Sequence, residues 1–208
     1  MPKLIIEYGK NGPLKYLSHL ELARAFQRAF RRANIGIKMS SGYSPRPKIS
    51  HGQALSVGFG SSAEYMLVEA KEYIPAEELI KKISSVLPKG IAISRAKYIK
   101  DRQGSIMSLV QSLAYRIKVK LDGGDVHIEP FIAQLRDEGR LLVKHKEKQK
   151  WVETNKAILD WQVEYRSGDV YGFYMLLSTG NQNNIRPEVA VGKLSEMFPE
   201  LGGVEILE

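Results

Sequence analysis

The strongest constraint in this sequence is an order of elements that occurs twice. Residues 4–8 alternate as a strand, and Gly9-Lys10-Asn11-Gly12-Pro13 ends it with turn residues. A helix is predicted from Ser18 to about Asn34, with Gly36 beyond it. Ser18 and Glu21 form a capping box, and Leu17 with Leu22 make the hydrophobic staple. Residues 49–59 and 64–73 read as a strand pair separated by Gly and Ser. Pro75 opens a second helix, with Leu79, Ile80, Ile83, Val86 and Leu87 on its apolar face, and Pro88 stops it. Residues 91–99 form a fourth strand.

The second half runs through the same order. Residues 114–121 alternate as a strand, and residues 129–138 form a helix with Pro130 in its first turn. A basic hairpin over 141–152 is inserted next. Residues 157–165 and 170–178 are strands around Ser167-Gly168-Asp169. A helix between Pro187 and Pro199 and a strand over 204–207 finish the set. In both halves the second helix is bracketed by prolines (Pro75 and Pro88, Pro187 and Pro199), which supports an internal repeat. A strand-helix-strand-strand-helix-strand chain closes as an antiparallel sheet with both helices on one face, the ferredoxin-like motif. The expected fold is therefore α+β, two tandem ferredoxin-like units. Residues 1–102 form a basic unit, 103–112 a linker centred on Asp101-Arg102-Gln103-Gly104-Ser105, and 113–208 the second unit.

The 208 residues carry 31 Lys and Arg against 23 Asp and Glu, a net charge of +8. Residues 1–50 hold ten Lys or Arg and two Asp or Glu, whereas residues 151–208 hold four and nine. Such asymmetry points to a polyanion-facing surface in the first unit. There are no cysteines, so the chain offers no disulfide, thiolate nucleophile or iron–sulfur ligand. No cofactor is expected. The first residues lack the apolar run of a signal peptide, and no stretch is long and apolar enough for a membrane span. A cytoplasmic location is the expectation.

On the first helix, at about 100° per residue, Arg24, Arg28, Arg31 and Arg32 share one arc. Leu22, Phe26, Ala29, Phe30 and Ala33 occupy the opposite one. Like charges at i,i+4 repel, and an anionic partner relieves that cost. Arginine suits bidentate phosphate contacts. The loop Ser40-Ser41-Gly42-Tyr43-Ser44-Pro45-Arg46-Pro47-Lys48 adds a stacking ring and two cations, Arg46 and Lys48. A third basic run, Lys144 to Trp151, reads as a solvated hairpin tip. The histidines His19, His51, His127 and His145 show no metal-site spacing, and there is no HExxH, P-loop, GxSxG or Rossmann fingerprint. His19 and His51 are candidates for acid–base work on RNA. With Tyr43 and Arg46 they make a complete set only where the loop folds over the helix start. Glu64 and Glu69 read as structural.

Several runs together resemble a known family. These are Tyr16-Leu17-Ser18-His19-Leu20-Glu21-Leu22, Arg28-Ala29-Phe30-Arg31-Arg32-Ala33, Ser41-Gly42-Tyr43-Ser44-Pro45-Arg46-Pro47-Lys48-Ile49, Ala54-Leu55-Ser56-Val57-Gly58 and Asn184-Ile185-Arg186-Pro187-Glu188. They are similar to the radical SAM-linked proteins, a domain of unknown function fused to or encoded beside cobalamin-binding radical SAM proteins. The likeness is densest over residues 14–70. The family's loop reads Gly-Phe-Asn-Pro-His-Pro, so Tyr43, Ser44 and Arg46 depart from it, and a role of the family's loop histidine does not transfer. The tandem layout also resembles the repeat-processing endonucleases of CRISPR systems, a likeness of fold alone.

The resemblance and the basic helix together imply a non-catalytic RNA-binding accessory module. It would present RNA, such as tRNA or rRNA, to a radical SAM partner. One alternative is a metal-independent endoribonuclease using His19. Another is a protein-interaction adaptor whose basic face docks an acidic partner.

Overall fold

The structure, a computed structural model of the chain, describes residues 2–99, 106–123, 126–145, 148–179 and 183–207. It divides into two compact units, Met1–Leu109 and Val110–Glu208. The expected linker residues 101–105 and the hairpin-tip residues 146 and 147 lie outside the described residues.

The first unit contains β1 (Lys3–Lys10), α1 (His19–Arg32), β2 (Ile49–His51), β3 (Ser61–Glu69), α2 (Ala76–Ser84) and β4 (Ile91–Ile99). The sheet order is β2-β3-β1-β4, antiparallel throughout. This is the ferredoxin-like arrangement that the element order implies. Leu4, Ile6 and Tyr8 of β1 and Met66 and Val68 of β3 are buried together with Leu22, Phe26, Ala29 and Phe30 of α1 and Leu79 and Ile83 of α2. Both helices therefore cover one face of the sheet. A short α3 (Ile106–Leu109) ends the unit, with Ile106 buried.

The second unit contains β5 (Ser112–Leu121), α4 (Glu129–Asp137), β6 (Arg140–His145), β7 (Lys148–Glu153), α5 (Thr154–Ala157), β8 (Ile158–Ser167), β9 (Val170–Ser178), α6 (Pro187–Met197) and β10 (Val204–Ile206). Its main sheet has the order β10-β5-β9-β8, the same winding, and β6 and β7 pair as a separate hairpin. Among the described residues no helix is long and apolar enough to cross a membrane.

Three local features differ from the pattern expected, the first being the strand expected over 64–73, which runs from Ser61 to Glu69. Helix α1 stops at Arg32, because Asn34 takes the left-handed conformation (φ 54°) and Ile35 N donates to Phe30 O. Asparagine tolerates that conformation better than other non-glycine residues, so the chain turns before Gly36. The expected strand over 49–59 is only three residues long. Gly52 N still donates to Tyr65 O, but the chain then leaves the sheet, and Gly58 N, in a residue of positive φ, donates to Lys15 O.

Candidate nucleic-acid interface

Helix α1 begins on the capping box read from the sequence. Glu21 N donates to Ser18 Oγ at 3.3 Å, and Ser18 N and Oγ donate to Glu21 Oε2 at 2.8 and 2.7 Å. These bonds hold the exposed Glu21 carboxyl below its usual range. The amphipathic face then sets the helix's rotation. Leu22, Phe26, Ala29 and Phe30 are buried, so Arg24, Arg28, Arg31 and Arg32 are all presented to solvent.

The four arginines are not equivalent. Arg32 donates through its guanidinium to the carbonyl of Val86 and is partly tied to the segment after α2. Arg24, Arg28 and Arg31 make no ion pair or side-chain hydrogen bond among the described residues. Neighbours of one sign, three and four positions apart, each cost a few tenths of a kcal/mol, about 0.2–0.5, in an isolated helix. Nothing on α1 itself offsets that beyond Glu21 at its start.

The loop after α1 has a fastened base and a free tip. Met39 bridges to Pro47, Ser40 N donates to Arg46 O at 2.7 Å, and Arg46 N donates to Ser40 Oγ at 2.9 Å. Tyr43 at the tip is fully exposed, and Arg46 is exposed beside it. Lys48 is different. Its ammonium lies 3.5 Å from Glu69, which Lys38 also approaches at 3.8 Å. Glu69 is thus an ion-pair partner at the base of the loop, and Lys48 is already engaged.

The structure brings together His19 and His51, 32 positions apart in sequence. Their ring centroids are 5.2 Å apart at 82°, edge to face. His51 also packs against Phe26 at 6.2 Å, and Phe26 meets Tyr8 edge-on at 4.7 Å. Tyr8 donates its hydroxyl to Glu64 Oε2 at 3.4 Å. Lys10, on the same strand, is only 2 % exposed. His51 Nδ1 and Glu64 Oε1 are sealed from solvent without a hydrogen-bond partner. Burial, and then the neighbouring His19, press the His51 value down to about 4. Burial pushes the Glu64 carboxyl up, against the pull of Lys10 and the Tyr8 hydroxyl. Burial, reinforced by Glu64, raises the Tyr8 phenol.

Tyr43 and Arg46 do not complete this cluster, and no contact joins them to either histidine among the described residues. The reason is register. The loop springs from the sheet where Glu69 pairs with Lys3, whereas the cluster lies towards the pairing of Tyr8 with Glu64. Tyr8, Lys10 and Glu64 are members that the sequence reading missed. The available signal was alternation: Leu4, Ile6, Tyr8 and Lys10 share one parity, as do Glu64, Met66 and Val68. Among the described residues no group of three or more His, Asp or Glu is placed to hold a metal ion.

Comparison with known proteins gives a family and a fold. Residues 3–187 match a family described as an uncharacterised protein conserved in bacteria, DUF2344. No curated protein matches. Among solved structures, a chain in the crystal structure of a Cbf5-Nop10-Gar1 complex superposes with a TM-score of 0.53 at 14% identity. That match covers 99% of this chain and 46% of the other, so the likeness spans less than half of the longer molecule and concerns fold alone. An unknown protein from Galdieria sulphuraria aligns at 13% identity over 99% of this chain and 96% of that one, with a TM-score of 0.29.

Proposed function

The chain belongs to this DUF2344 family, and we propose, for this member, that it binds RNA through the exposed face of α1. The observation that carries the reading is the row Arg24, Arg28 and Arg31. These are three solvent-facing guanidinium groups on one helix, opposite a buried face, with no ion pair within 4 Å among the described residues, Glu21 near Arg24 being the one acid that acts on the row. A phosphate backbone supplies the missing negative charge, and guanidinium groups meet phosphates bidentately. Tyr43 and Arg46, on a loop whose base is fastened, add a stacking ring and a further cation. Lys48 and Arg32 contribute less, because each already has a partner.

We propose further that the bound RNA, a tRNA or rRNA, is presented to a radical SAM partner. The support is the likeness of residues 14–70 to the radical SAM-linked proteins. The zero cysteine count also leaves any iron–sulfur cluster outside these residues.

The test is binding of a fluorescently labelled single-stranded RNA, followed by anisotropy across a salt series. The logarithm of the affinity should fall with the logarithm of salt at about 0.7 per phosphate engaged. Replacing Arg24, Arg28 and Arg31 together by Glu should abolish binding while the circular dichroism spectrum is unchanged. An unaltered affinity in that folded variant refutes the reading.

A further inference from the structure

We propose that the His19–His51 pair is a metal-independent acid–base site that cuts RNA by attack of a ribose 2′-hydroxyl on its adjacent phosphate. The inference rests on the reading of α1 as an RNA interface and goes beyond it, because binding alone needs neither histidine.

Geometry is the first argument. Two imidazoles from different elements, the first residue of α1 and the last residue of β2, lie 5.2 Å apart edge to face. General acid–base cleavage of a phosphodiester requires two proton-handling groups that reach one phosphate. His19 is exposed, and it starts the helix whose following turns carry Arg24, Arg28 and Arg31.

The second argument is the state of His51. Its ring is wedged between His19 and Phe26, so its orientation is fixed. Nδ1 is sealed without a partner, whereas Nε2 is not sealed. Burial keeps the ring neutral through the physiological range, which is the form that accepts a proton. The other titratable groups of the cluster are His19 from α1, Tyr8 and Lys10 from β1 and Glu64 from β3. Lys10 is almost fully buried and has no ion pair within 4 Å among the described residues. Its positive charge is felt at Glu64.

Surface chemistry supplies the third argument. Tyr16, Leu20 and Val57 are large apolar side chains left exposed close to the pair in sequence. The bond from Gly58 N to Lys15 O ties the segment carrying Val57 to the turn carrying Tyr16. Exposed apolar side chains of this kind suit unstacked bases.

In the proposed step, His51 Nε2 takes the proton of the 2′-hydroxyl. The 2′ oxygen bonds to phosphorus and the bond from phosphorus to the 5′ oxygen breaks. Protonated His19 gives its proton to that leaving oxygen. The products are a 2′,3′-cyclic phosphate and a free 5′-hydroxyl. Proton exchange with solvent then resets both rings for the next cut. No metal, water or redox partner is consumed.

The experiment incubates the full chain with a labelled single-stranded RNA pool of random sequence in EDTA, and measures binding and cleavage in the same samples. The expected result is cut RNA ending in cyclic phosphate, with a 2′-O-methyl pool bound but intact. His19→Ala, at an exposed position, should cut at least about 100-fold more slowly while still binding. His51→Gln should do the same, with its melting curve recorded alongside. Bound but intact wild-type RNA overturns this inference and leaves the binding reading standing. An unbound pool overturns both. Cleavage that survives in both variants overturns the assignment to these residues.

Discussion

Acidification should weaken the first unit through His51. The side chain lies between His19 and Phe26 with Nδ1 sealed, and its value falls from the usual 6.5 to about 4. Between those two pH values the unfolded chain binds a proton at this residue that the folded chain refuses. Stability is therefore fully present above about pH 6.5 and is lost as the pH falls towards 4. At about 1.4 kcal/mol per factor of ten, the whole window amounts to a few kcal/mol, on the order of 3, most of it gone by about pH 4.5. Glu64 works in the opposite direction: burial raises its value, so its protonation on acidification favours the fold. Comparison with His51→Phe, which keeps Glu64, isolates the histidine. Amide hydrogen exchange at Ile6 in β1 reports opening of this unit's core. Wild type should lose roughly 2–3 kcal/mol more protection than His51→Phe between pH 7 and pH 4.5. The imidazole resonance of His51 should titrate near 4. Equal losses in the two proteins, or a titration midpoint near 6.5, would refute the argument that burial sets this residue's charge.

Other substitutions read other parts of the unit. Ser18→Ala removes the hydroxyl half of the capping box, leaving the bond from the residue-18 N–H to Glu21, and should cost about 1 kcal/mol in the unfolding free energy of the first unit, measured by the same exchange. Phe26→Ala should cost about 3–5 kcal/mol, because the ring is wholly buried and supports both Tyr8 and His51. It should also move the His51 midpoint upwards as water enters. Gly90→Ala should destabilise by about 1–3 kcal/mol. Gly90 sits at φ +102° and a Cβ there would lie 2.7 Å from the carbonyl oxygen of Asn11, so a melt unchanged from wild type would show that the turn rearranges.

Local signals carried much of the fold. The Ser18–Glu21 box, the rotation of α1 and the six-element order are all matters of spacing within a few residues, and each appears in the structure where spacing put it. The shortening of β2 was not legible in the same way. Residues 49–59 have strand composition, yet the hydrogen bond of Gly58 to Lys15 takes the chain off the sheet, and that partner is 43 positions away. The histidine pair fails to show in sequence for a similar reason. His51 reaches His19 only once β2 has registered its His51 against Met66 and α1 has turned Phe26 inward. Lys10 was read as part of a turn. A register shift between Tyr8 and Lys10 lets β1 continue, and the lysine is carried under cover. The arginine face needed no such long-range knowledge to locate. Its inequality did, since nothing in the helix itself says that Arg32 will find Val86.

The two units share one winding, and they depart from a minimal version of it at the same place. In the first, the connection between helix and second strand is drawn out into the loop carrying Tyr43 and Arg46. In the second, the same connection holds the β6–β7 hairpin and its exposed Trp151. Neither addition breaks a pairing of the four-stranded sheets, whose orders are the same. That crossover is thus the place at which this architecture accepts extra chain, and in the second unit the addition brings buried side chains of its own, Leu141, Val143 and Val152. The Ser40–Lys48 loop, exposed over residues 41–46, is therefore the addition that can be exchanged with least disturbance to its unit, whereas cutting out the hairpin would uncover the apolar side chains it brings.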